Sequence, residues 1–270
     1  MLDVSPTLLP SMAPLPAVLL LGGAGTRIAS LYPDLPKALV PVAGRPFLEH
    51  QLLWLARNGL RRIHLAAGIK AGPLEAWLGG PRPADLRDLD ITLSREPAPL
   101  GTGGALRHLL PILPDAPAFL SFNGDTLTPN LSLDLSALLP PSFSLRPFPS
   151  SAHLWAIPVP DATRYGTLEF DPGTRHVTAF REKAATASGH VNAGIYLIPR
   201  PLLETIPAGR SVSLETECLP RWAADGLLLA HPALPPLLDM GTPDGLAGME
   251  RFLEAGIGHR TSDIGKPTIP

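Results

Sequence analysis

The chain has a single cysteine, Cys218, among its 270 residues, so an internal disulfide framework is excluded. It has no apolar run long enough to span a bilayer, and its start lacks the basic residues and long apolar stretch of a signal peptide. With a formal net charge of −2, it also lacks the positive surplus of a protein that binds nucleic acid. We therefore expect a cytoplasmic protein that acts on small molecules, with no membrane and no nucleic acid as a partner.

Two kinds of catalytic site are missing as well. None of the eight histidines lies at the spacing of metal ligands, so a zinc site has no support. The chain contains no nucleophile elbow, so a hydrolase of that type has no support either. Cys218 falls in an expected helix over residues 214–224, where a packed thiol is favoured over a reactive one.

Apolar residues are plentiful at 45% of the chain, and proline is frequent, with 34 residues. The apolar fraction is enough for a sizeable core, and the prolines stand at segment boundaries, which is typical of rigid loops. We expect a loose leader over residues 1–14, one domain over 15–257 and a frayed tail over 258–270. The sequence changes character near residue 140, which divides the domain into a first half over 15–139 and a second half over 140–257.

Short apolar runs alternate with helical patterns through the first half. The expected strands are 17–21, 63–67, 91–94 and 118–122, and the expected helices are 46–58, 74–78 and 103–110. This alternation predicts an α/β fold with a mostly parallel central sheet flanked by helices, in which ligands lie beyond the carboxyl ends of the strands.

The second half has a different character. The expected strands are 154–159, 167–170, 176–180 and 191–198, followed by the helix over 214–224, an apolar stretch at 234–238 and a last helix over 244–255. Strands separated by turns rather than by helices indicate a mixed extension of the sheet.

A glycine-rich loop follows the first strand. It consists of Gly22, Gly23, Ala24, Gly25, Thr26 and Arg27. Glycines let the main chain approach an anion closely, and backbone N–H groups together with Arg27 and Lys37 can hold phosphate. The loop is neither a dinucleotide fingerprint, because Ile28 stands at the third glycine, nor a P-loop, because Arg27 replaces Gly-Lys. A simple structural turn is the alternative.

The loop is followed by Pro36-Lys37-Ala38-Leu39-Val40-Pro41-Val42 and then by Gly44-Arg45-Pro46. In this order the segments resemble the signature of the sugar-1-phosphate nucleotidyltransferases, which make nucleotide sugars. The resemblance extends over about residues 18–246 and is greatest to the bacterial guanylyltransferases of this family that act on heptose or mannose 1-phosphate. It implies a Rossmann-like nucleotide-diphospho-sugar transferase fold, with a nucleotide-binding half over 15–139 and a sugar-binding half over 140–257. It also implies a reaction that joins a nucleoside triphosphate to a sugar 1-phosphate and releases pyrophosphate.

Such a reaction requires charge neutralisation rather than a side-chain nucleophile. The resemblance assigns Arg27 to the β- and γ-phosphates, Lys37 to the α-phosphate region and Lys183 to the sugar phosphate. It assigns Asp125 and Asp239 as ligands of Mg²⁺. Taken singly, Asp125 is better explained by a tight turn and Asp239 by a cap before a loop; the two motifs in this order favour the metal site.

The resemblance also assigns two sets of binding residues. The expected nucleotide-binding residues are Leu21, Gly22, Gly23, Ala24, Gly25, Thr26, Glu96, Gly101, Thr102, Gly103, Asn123 and Gly124. The expected sugar-binding residues are Tyr165, Gly166, Glu182, Asn192 and Gly194. For Gly101 to Gly103 the alternative is a strand-to-helix turn in which small residues permit close packing.

The expected base specificity depends on Glu96, because family members that use uridine or thymidine triphosphates usually have glutamine at this position. A carboxylate only accepts hydrogen bonds, and guanine offers two donors on its Watson–Crick edge, whereas uracil offers one donor flanked by acceptors. Glu96 therefore favours GTP, unless it is a surface glutamate at a strand end.

Two other functions stay open. One is uridylyl or thymidylyl transfer to another sugar, such as N-acetylmuramate or glucose 1-phosphate. The other is a non-catalytic sensor of nucleotide sugars. The sequence also leaves the oligomeric state open, with a homo-oligomer as one possibility.

Overall fold

The computed structural model of the protein describes residues 15–23, 28, 31–68, 71–113, 116–133, 150–162, 165–181 and 188–255. The expected leader (1–14) and tail (258–270) lie outside these residues. The expected division of the domain into two halves stays a prediction.

Strands alternate with helices over the first part of the chain and follow one another more directly after it. In chain order, the strands are β1 (Ala17–Leu20), β2 (Pro41–Val42), β3 (Arg45–Pro46), β4 (Arg62–Ala67), β5 (Asp90–Arg95), β6 (Ala118–Asn123), β7 (Thr126–Leu127), β8 (Ala152–Val159), β9 (Thr167–Phe170), β10 (Val177–Arg181), β11 (Gly189–Pro199), β12 (Leu228–Pro232) and β13 (Leu238–Asp239). The α-helices are α1 (Phe47–Arg57), α2 (Gly72–Gly79), α3 (Gly101–Leu109), α4 (Arg200–Glu204), α5 (Leu219–Ala224) and α6 (Pro243–Glu254).

Within the described residues, nine strands form one sheet whose main path runs β10-β9-β11-β6-β1-β4-β5, with β8 and β12 added beside β11. β1, β4, β5 and β6 are parallel, as expected from the alternation of strands and helices. β1 is buried on both faces, because Ala17 and Leu19 lie in one core and Val18 and Leu20 in the other. A strand with two buried faces is a continuous apolar run, which is why it is recognisable in the sequence.

Helix α1 matches its expected bounds closely. It begins after Pro46, whose fixed φ suits the start of a helix. Gly59 lies just beyond its C-terminal end, in the left-handed region at φ +78°. The expected apolar face is buried, with Phe47 and Leu52 fully inaccessible to solvent. The helix therefore covers one face of the sheet.

The antiparallel strands confirm the expected mixed extension. β11 pairs antiparallel with β6, β8 and β9, so the extension is continuous with the parallel part. The register of β11 against β8 shifts between Asn192 and Tyr196, and Gly194 lies within that shift at φ +71°. A bulge of this kind changes the direction in which neighbouring side chains point.

Two elements differ from expectation, and a third was expected without an assigned structure. The expected helix over 214–224 begins with a π-helical turn, Leu214–Cys218, because Pro220 has no N–H with which to continue an α-helical ladder. The apolar stretch 234–238 begins exposed, with Leu234 71% exposed, and leads into β13 at Leu238. β12 was not expected from the sequence; it is parallel to β8, which is distant in the chain.

Burial and helix length bear on two further features. Cys218 is buried, and burial raises the pKa of its thiol to about 11, so a packed rather than reactive thiol is confirmed. Within the described ranges, no helix is both long and apolar enough to cross a bilayer.

Candidate active site

The loops that follow β1, β4, β5 and β6 all leave the sheet at one edge. In the register of the parallel strands, Leu20 at the end of β1 lies between Ala66 of β4 and Asn123 of β6. Arg95 at the end of β5 lies opposite Ala67 of β4. The segments expected to bind nucleotide and metal follow these residues directly, so this edge is the candidate active site.

The structure brings the two predicted metal ligands together. Asp125 follows β6 in a tight turn, and Asp239 ends β13, which pairs antiparallel with β7 just beyond that turn. Met240 N–H donates to Asp125 O at 3.0 Å, so the backbones of the two aspartates adjoin. Asp239 Oδ1 accepts a hydrogen bond from Gly241 N–H at 2.7 Å, which fixes one side of that carboxylate.

Lys37 reaches the same place from another segment. It begins a 3₁₀ turn, Lys37–Leu39, directly after Pro36, and its Nζ lies 2.9 Å from Asp125 Oδ2. Both side chains keep some exposure, 18% for Lys37 and 34% for Asp125. The ion pair is therefore at the surface of the cleft, where an incoming anion can compete for the ammonium group.

Gly124 lets the turn approach the end of β1. Its N–H donates to Leu20 O at 3.1 Å, and a Cβ atom on Gly124 would lie 2.5 Å from that oxygen. The same Cβ would also collide with the side chain of Leu21. Only glycine fits at this position, and the turn that carries Asp125 is thereby tied to the start of the glycine-rich loop.

Asn123 connects this turn to the sugar-side strand. A Cβ atom on Gly194 of β11 would lie 2.8 Å from the Asn123 side chain, so the two residues are in close contact. Thr126 Oγ1 donates to Ala193 O at 3.4 Å, close to the same bulge. The expected nucleotide-binding Asn123 and the expected sugar-binding Gly194 therefore adjoin.

Glu96 lies beside the glycine-rich loop, as expected for a residue that contacts the base. A Cβ atom on Gly22 would lie 2.5 Å from Glu96 Oε1, while Oε2 accepts a hydrogen bond from Leu100 N–H at 3.0 Å. Glu96 is only 7% exposed, so it is not a surface glutamate. Burial raises the pKa of its carboxyl group, and the Leu100 N–H and the charge of His108 partly oppose that rise.

The second glycine-rich segment is closely packed against another part of the chain. Gly103 N–H and Gly104 N–H donate to Val212 O at 2.9 and 3.1 Å, and Gly101 at φ +67° has room for no Cβ beside that oxygen. Thr102 Oγ1 donates to Glu215 Oε2 at 2.6 Å. These contacts are those of the close-packing alternative, and the assignment of Gly101, Thr102 and Gly103 to the nucleotide stays a prediction.

The predicted sugar-side residues take two kinds of position. Asn192 is tied within the protein, since its Nδ2 donates to Tyr196 Oη at 2.7 Å and its Oδ1 accepts from Gly194 N–H at 3.0 Å. Tyr196 is fully buried, and burial raises the pKa of its hydroxyl group well above the usual value. Tyr165 is half-buried and Gly166 is exposed, at the start of the segment that leads into β9.

Six predicted site residues lie outside the described residues. They are Ala24, Gly25, Thr26, Arg27, Glu182 and Lys183. Their assigned roles stay predictions.

Two residues of the site were missed by sequence reasoning. Gly68, after β4, faces Gly22: a Cβ on Gly68 would lie 2.8 Å from the Gly22 Cα atom. Gln51 of α1 donates from Nε2 to Asn123 O and Thr126 O, both at 2.9 Å. The signal for Gln51 is a polar residue one turn after Phe47, on the apolar face of a recognisable helix.

The two aspartates fit a magnesium site in their chemistry. Mg²⁺ in nucleotide sites is held by one or two carboxylates, with phosphate and water as the other ligands. In the part of the chain that the structure describes, no group of three or more His, Cys, Asp and Glu side chains is arranged to hold a metal. A pair of carboxylates on adjoining segments matches the first pattern rather than an all-protein metal cage.

Comparison with known proteins points the same way. The family model described as "Nucleotidyl transferase" matches residues 16–256. The mannose-1-phosphate guanylyltransferase of Mycobacterium tuberculosis is 34% identical over 258 residues, which span 92% of this chain and 69% of that protein. The D-glycero-alpha-D-manno-heptose 1-phosphate guanylyltransferase of Aneurinibacillus thermoaerophilus is 27% identical over 238 residues, or 88% of this chain and 98% of that one.

A solved structure is similar over nearly the same region. The structure of HddC from Yersinia pseudotuberculosis complexed with GMP-PN has a TM-score of 0.72 and 28% sequence identity to this chain, and the match covers 88% of this chain and 99% of HddC.

Proposed function

The chain belongs to the nucleotidyl transferase family, and from this premise we propose that it transfers the guanylyl group of GTP to a mannose- or heptose-type sugar 1-phosphate. The observation that carries the proposal is the meeting of Lys37, Asp125 and Asp239 at one edge of the sheet, with Glu96 beside the glycine-rich loop.

In the proposed reaction, a phosphate oxygen of the sugar 1-phosphate forms a bond to the α-phosphorus of GTP. The bond from that phosphorus to the bridging oxygen of the β-phosphate breaks, and the bonding electrons leave with pyrophosphate. The products are a GDP-sugar and pyrophosphate. The attacking oxygen is already anionic, so no side chain has to remove a proton.

The residues act by position and charge. Lys37, now paired with Asp125, neutralises charge near the α-phosphate, while Arg27 and Lys183 take the triphosphate and the sugar phosphate in this proposal. Asp125 and Asp239 would hold Mg²⁺, which draws phosphate oxygens together and neutralises developing negative charge when bound.

The choice of guanine rests on the orientation of Glu96. Leu100 N–H holds Oε2, and Oε1 is directed at Gly22, so the carboxylate presents an acceptor to the loop expected to receive the base. Guanine N1–H and the 2-amino group are donors that such an acceptor can bind. The names of the relatives agree, because the two quoted above are guanylyltransferases.

The sugar is the less constrained part of the proposal. The relatives' names favour mannose 1-phosphate and D-glycero-D-manno-heptose 1-phosphate. In this chain, Tyr165, Gly166, Asn192 and Gly194 are proposed to form the sugar side, together with Glu182. The expected cytoplasmic location and the oligomeric state stay predictions.

A substrate panel tests the proposal. Pyrophosphate release is measured with GTP, UTP, dTTP and CTP, each with mannose, heptose, glucose and N-acetylmuramate 1-phosphates in the presence of Mg²⁺. The expected result is highest kcat/KM for GTP with mannose or heptose 1-phosphate. A preference for UTP or dTTP would overturn the use of Glu96, and a preference for glucose or N-acetylmuramate 1-phosphate would overturn the choice of sugar.

A further inference from the structure

Gln51 is a buried amide that the proposed mechanism does not use. It lies on α1 and is only 3% exposed. Its Nε2 donates to Asn123 O and to Thr126 O, each at 2.9 Å. Both partners are carbonyl oxygens, so the amide must present its NH₂ group to them, and both of its protons are used.

The two carbonyl groups bracket the turn that carries Asp125. Gly124 N–H is bonded to Leu20 O of β1, and Asp125 O is bonded to Met240 N–H beyond β13. Gln51 supplies a third attachment, from the helix side. The three attachments come from three distant segments, so each restrains the turn in a different direction.

A small cavity lies beneath this turn. Its lining is mostly apolar but includes Gln51, Trp54, Asn123 and Thr128. Each of these four residues carries a buried polar atom with no hydrogen-bond partner among the described residues, namely Gln51 Oε1, Trp54 Nε1, Asn123 Oδ1 and Thr128 Oγ1. Unpartnered polar atoms distinguish this cavity from the dry cavities of an apolar core.

The set of atoms suits one water molecule. A buried water makes two to four hydrogen bonds to polar groups of this kind. It can donate to the two amide oxygens, Gln51 Oε1 and Asn123 Oδ1, and accept from Trp54 Nε1–H. All these groups are neutral, so an ion has no counter-charge in the cavity.

We propose that Gln51 is a positioning residue for Asp125, and that one ordered water in this cavity completes its hydrogen bonds. The proposal rests on the metal-binding role proposed above for Asp125. Gln51 touches neither substrate nor metal; it fixes the direction in which the turn presents the carboxylate.

The test compares Gln51→Met with a matched control on the same helix. Met keeps the length of the side chain and removes both donors. The control is Asn58→Ala, because Asn58 also makes two hydrogen bonds to backbone, from Nδ2 to Trp54 O at 3.0 Å and to Oδ1 from Leu133 N–H at 2.7 Å. Both partners are backbone groups outside the turn that carries Asp125, so the control loses structural bonds without removing an attachment of the turn.

Three measurements are made on each variant: amide hydrogen exchange of Gly124 and Met240, direct Mn²⁺ binding by electron paramagnetic resonance, and the separate values of kcat and KM. For Gln51→Met we expect exchange and the Mn²⁺ dissociation constant to rise about tenfold, and kcat to fall more than KM for GTP changes. For Asn58→Ala we expect all three to stay close to wild type. Equal effects in both variants, or unchanged exchange and Mn²⁺ binding in Gln51→Met, would overturn the positioning role.

Gln51→Glu supplies a second check, since a carboxylate donates to neither carbonyl group and a protonated carboxyl group donates to only one of them. We expect it to behave like Gln51→Met, and wild-type exchange and Mn²⁺ binding in this variant would contradict the role of the donors. A high-resolution crystal structure should show one ordered water within hydrogen-bond distance of Gln51 Oε1, and a dry cavity would overturn that half of the proposal.

The readouts separate this proposal from the proposed function. Hydrogen exchange and crystallography need no substrate. If no sugar 1-phosphate is converted with any nucleotide, but the turn is loosened in Gln51→Met and not in Asn58→Ala, then the proposed function is wrong and the attachment of the turn by Gln51 stands.

Discussion

Two glycine-rich segments lie at the nucleotide edge of the sheet, and their glycines have different neighbours. In the first segment, Gly22 and Gly23 are exposed, and a Cβ on Gly22 would meet a side-chain atom, Glu96 Oε1. In the second, a Cβ on Gly101 or Gly104 would meet backbone atoms of residues 210–212. The described part of the first segment, Gly22 and Gly23, is open to a ligand. The second segment is packed against its own chain through the buried Gly103 and Gly104, while Gly101 is itself exposed. The two segments therefore differ in how far their own chain covers them.

The difference between the two glycine-rich segments matters for function only if the edge of the sheet between them is the active site. Asp125→Asn tests this with the largest expected effect: a fall in kcat of at least about 100-fold, because a neutral amide neither ligates Mg²⁺ well nor pairs with Lys37. Stability should change by less than about 1 kcal/mol, since the Lys37 pair is partly exposed. Pyrophosphate release and thermal melts measure the two effects.

Asp85→Asn is the control for that variant. Asp85 also pairs with a basic side chain, Arg45 Nη1 at 3.0 Å, but away from the edge, so its activity should match wild type. Unchanged activity in Asp125→Asn would remove Asp125 from the metal site.

In the proposed function, Glu96 accepts hydrogen bonds from guanine beside the exposed segment, and Glu96→Gln should weaken those hydrogen bonds. We expect the preference for GTP over UTP to fall about 10- to 100-fold in kcat/KM, because a hydrogen bond to a charged acceptor is replaced by one to a neutral amide. Competition between the two nucleotides in one assay measures the ratio directly. An unchanged ratio would mean that the base is selected elsewhere.

Gly22→Ala asks whether the exposed segment is functional rather than structural. Its methyl group would lie 2.5 Å from Glu96 Oε1, and the end of a side chain can move aside at little cost to the fold. We expect kcat/KM for GTP to fall about tenfold, a loss of about 1.4 kcal/mol in transition-state stabilisation, with a nearly unchanged melting temperature. A large loss of stability with normal kcat/KM would mean that Gly22 has a structural role, like the glycines of the second segment.

Gly104→Ala is the counterpart in the packed segment. Its methyl group would lie 2.7 Å from Arg210 O, a backbone atom that cannot move alone. Overpacking costs about 1–3 kcal/mol, and the better helix propensity of alanine returns up to about 1 kcal/mol. We expect a net loss of about 1 kcal/mol in urea unfolding, with kcat/KM per folded molecule unchanged.

The sequence predicted the parallel part of the sheet well for a physical reason. Strands such as β1 and β6 are buried, continuous runs of mostly apolar residues. β6 ends at Asn123 and β1 ends shortly before Gly22, so each strand is recognisable from its local sequence. β12 was missed because its pairing with β8 depends on residues far away in the chain. The π-helical turn before Pro220 was missed because the helical pattern continues through it.

In the candidate site, too, some features are recognisable from local sequence and others depend on distant contacts. Asp125 and Asp239 are recognisable from short motifs, and the structure places their backbones side by side. The contact of Gln51 with Asn123 and Thr126 spans more than 70 residues of chain, so no local pattern reveals it. Local chemistry is readable in the sequence, whereas the partners that orient it come from tertiary packing.

The smallest expected effect concerns the pH dependence of stability, and it uses Glu96 again. Burial raises the pKa of this carboxyl group in the folded state, against the opposing Leu100 N–H bond. A raised pKa means that the folded state binds the proton more tightly. The resulting stabilisation is fully present below the unfolded pKa and is lost as pH rises through the folded pKa.

Glu96→Gln cannot ionise, so it isolates this contribution. The stability of wild type relative to Glu96→Gln should be greatest in acid and should fall as pH rises from the usual glutamate pKa through the raised one. Urea unfolding of both proteins at each pH measures the difference. A difference that grows towards neutral pH would mean that the hydrogen bond from Leu100 N–H affects the pKa of Glu96 more than burial does. The carboxylate beside the exposed segment would then already be stabilised by the chain, and its charge would not be left for a ligand to satisfy.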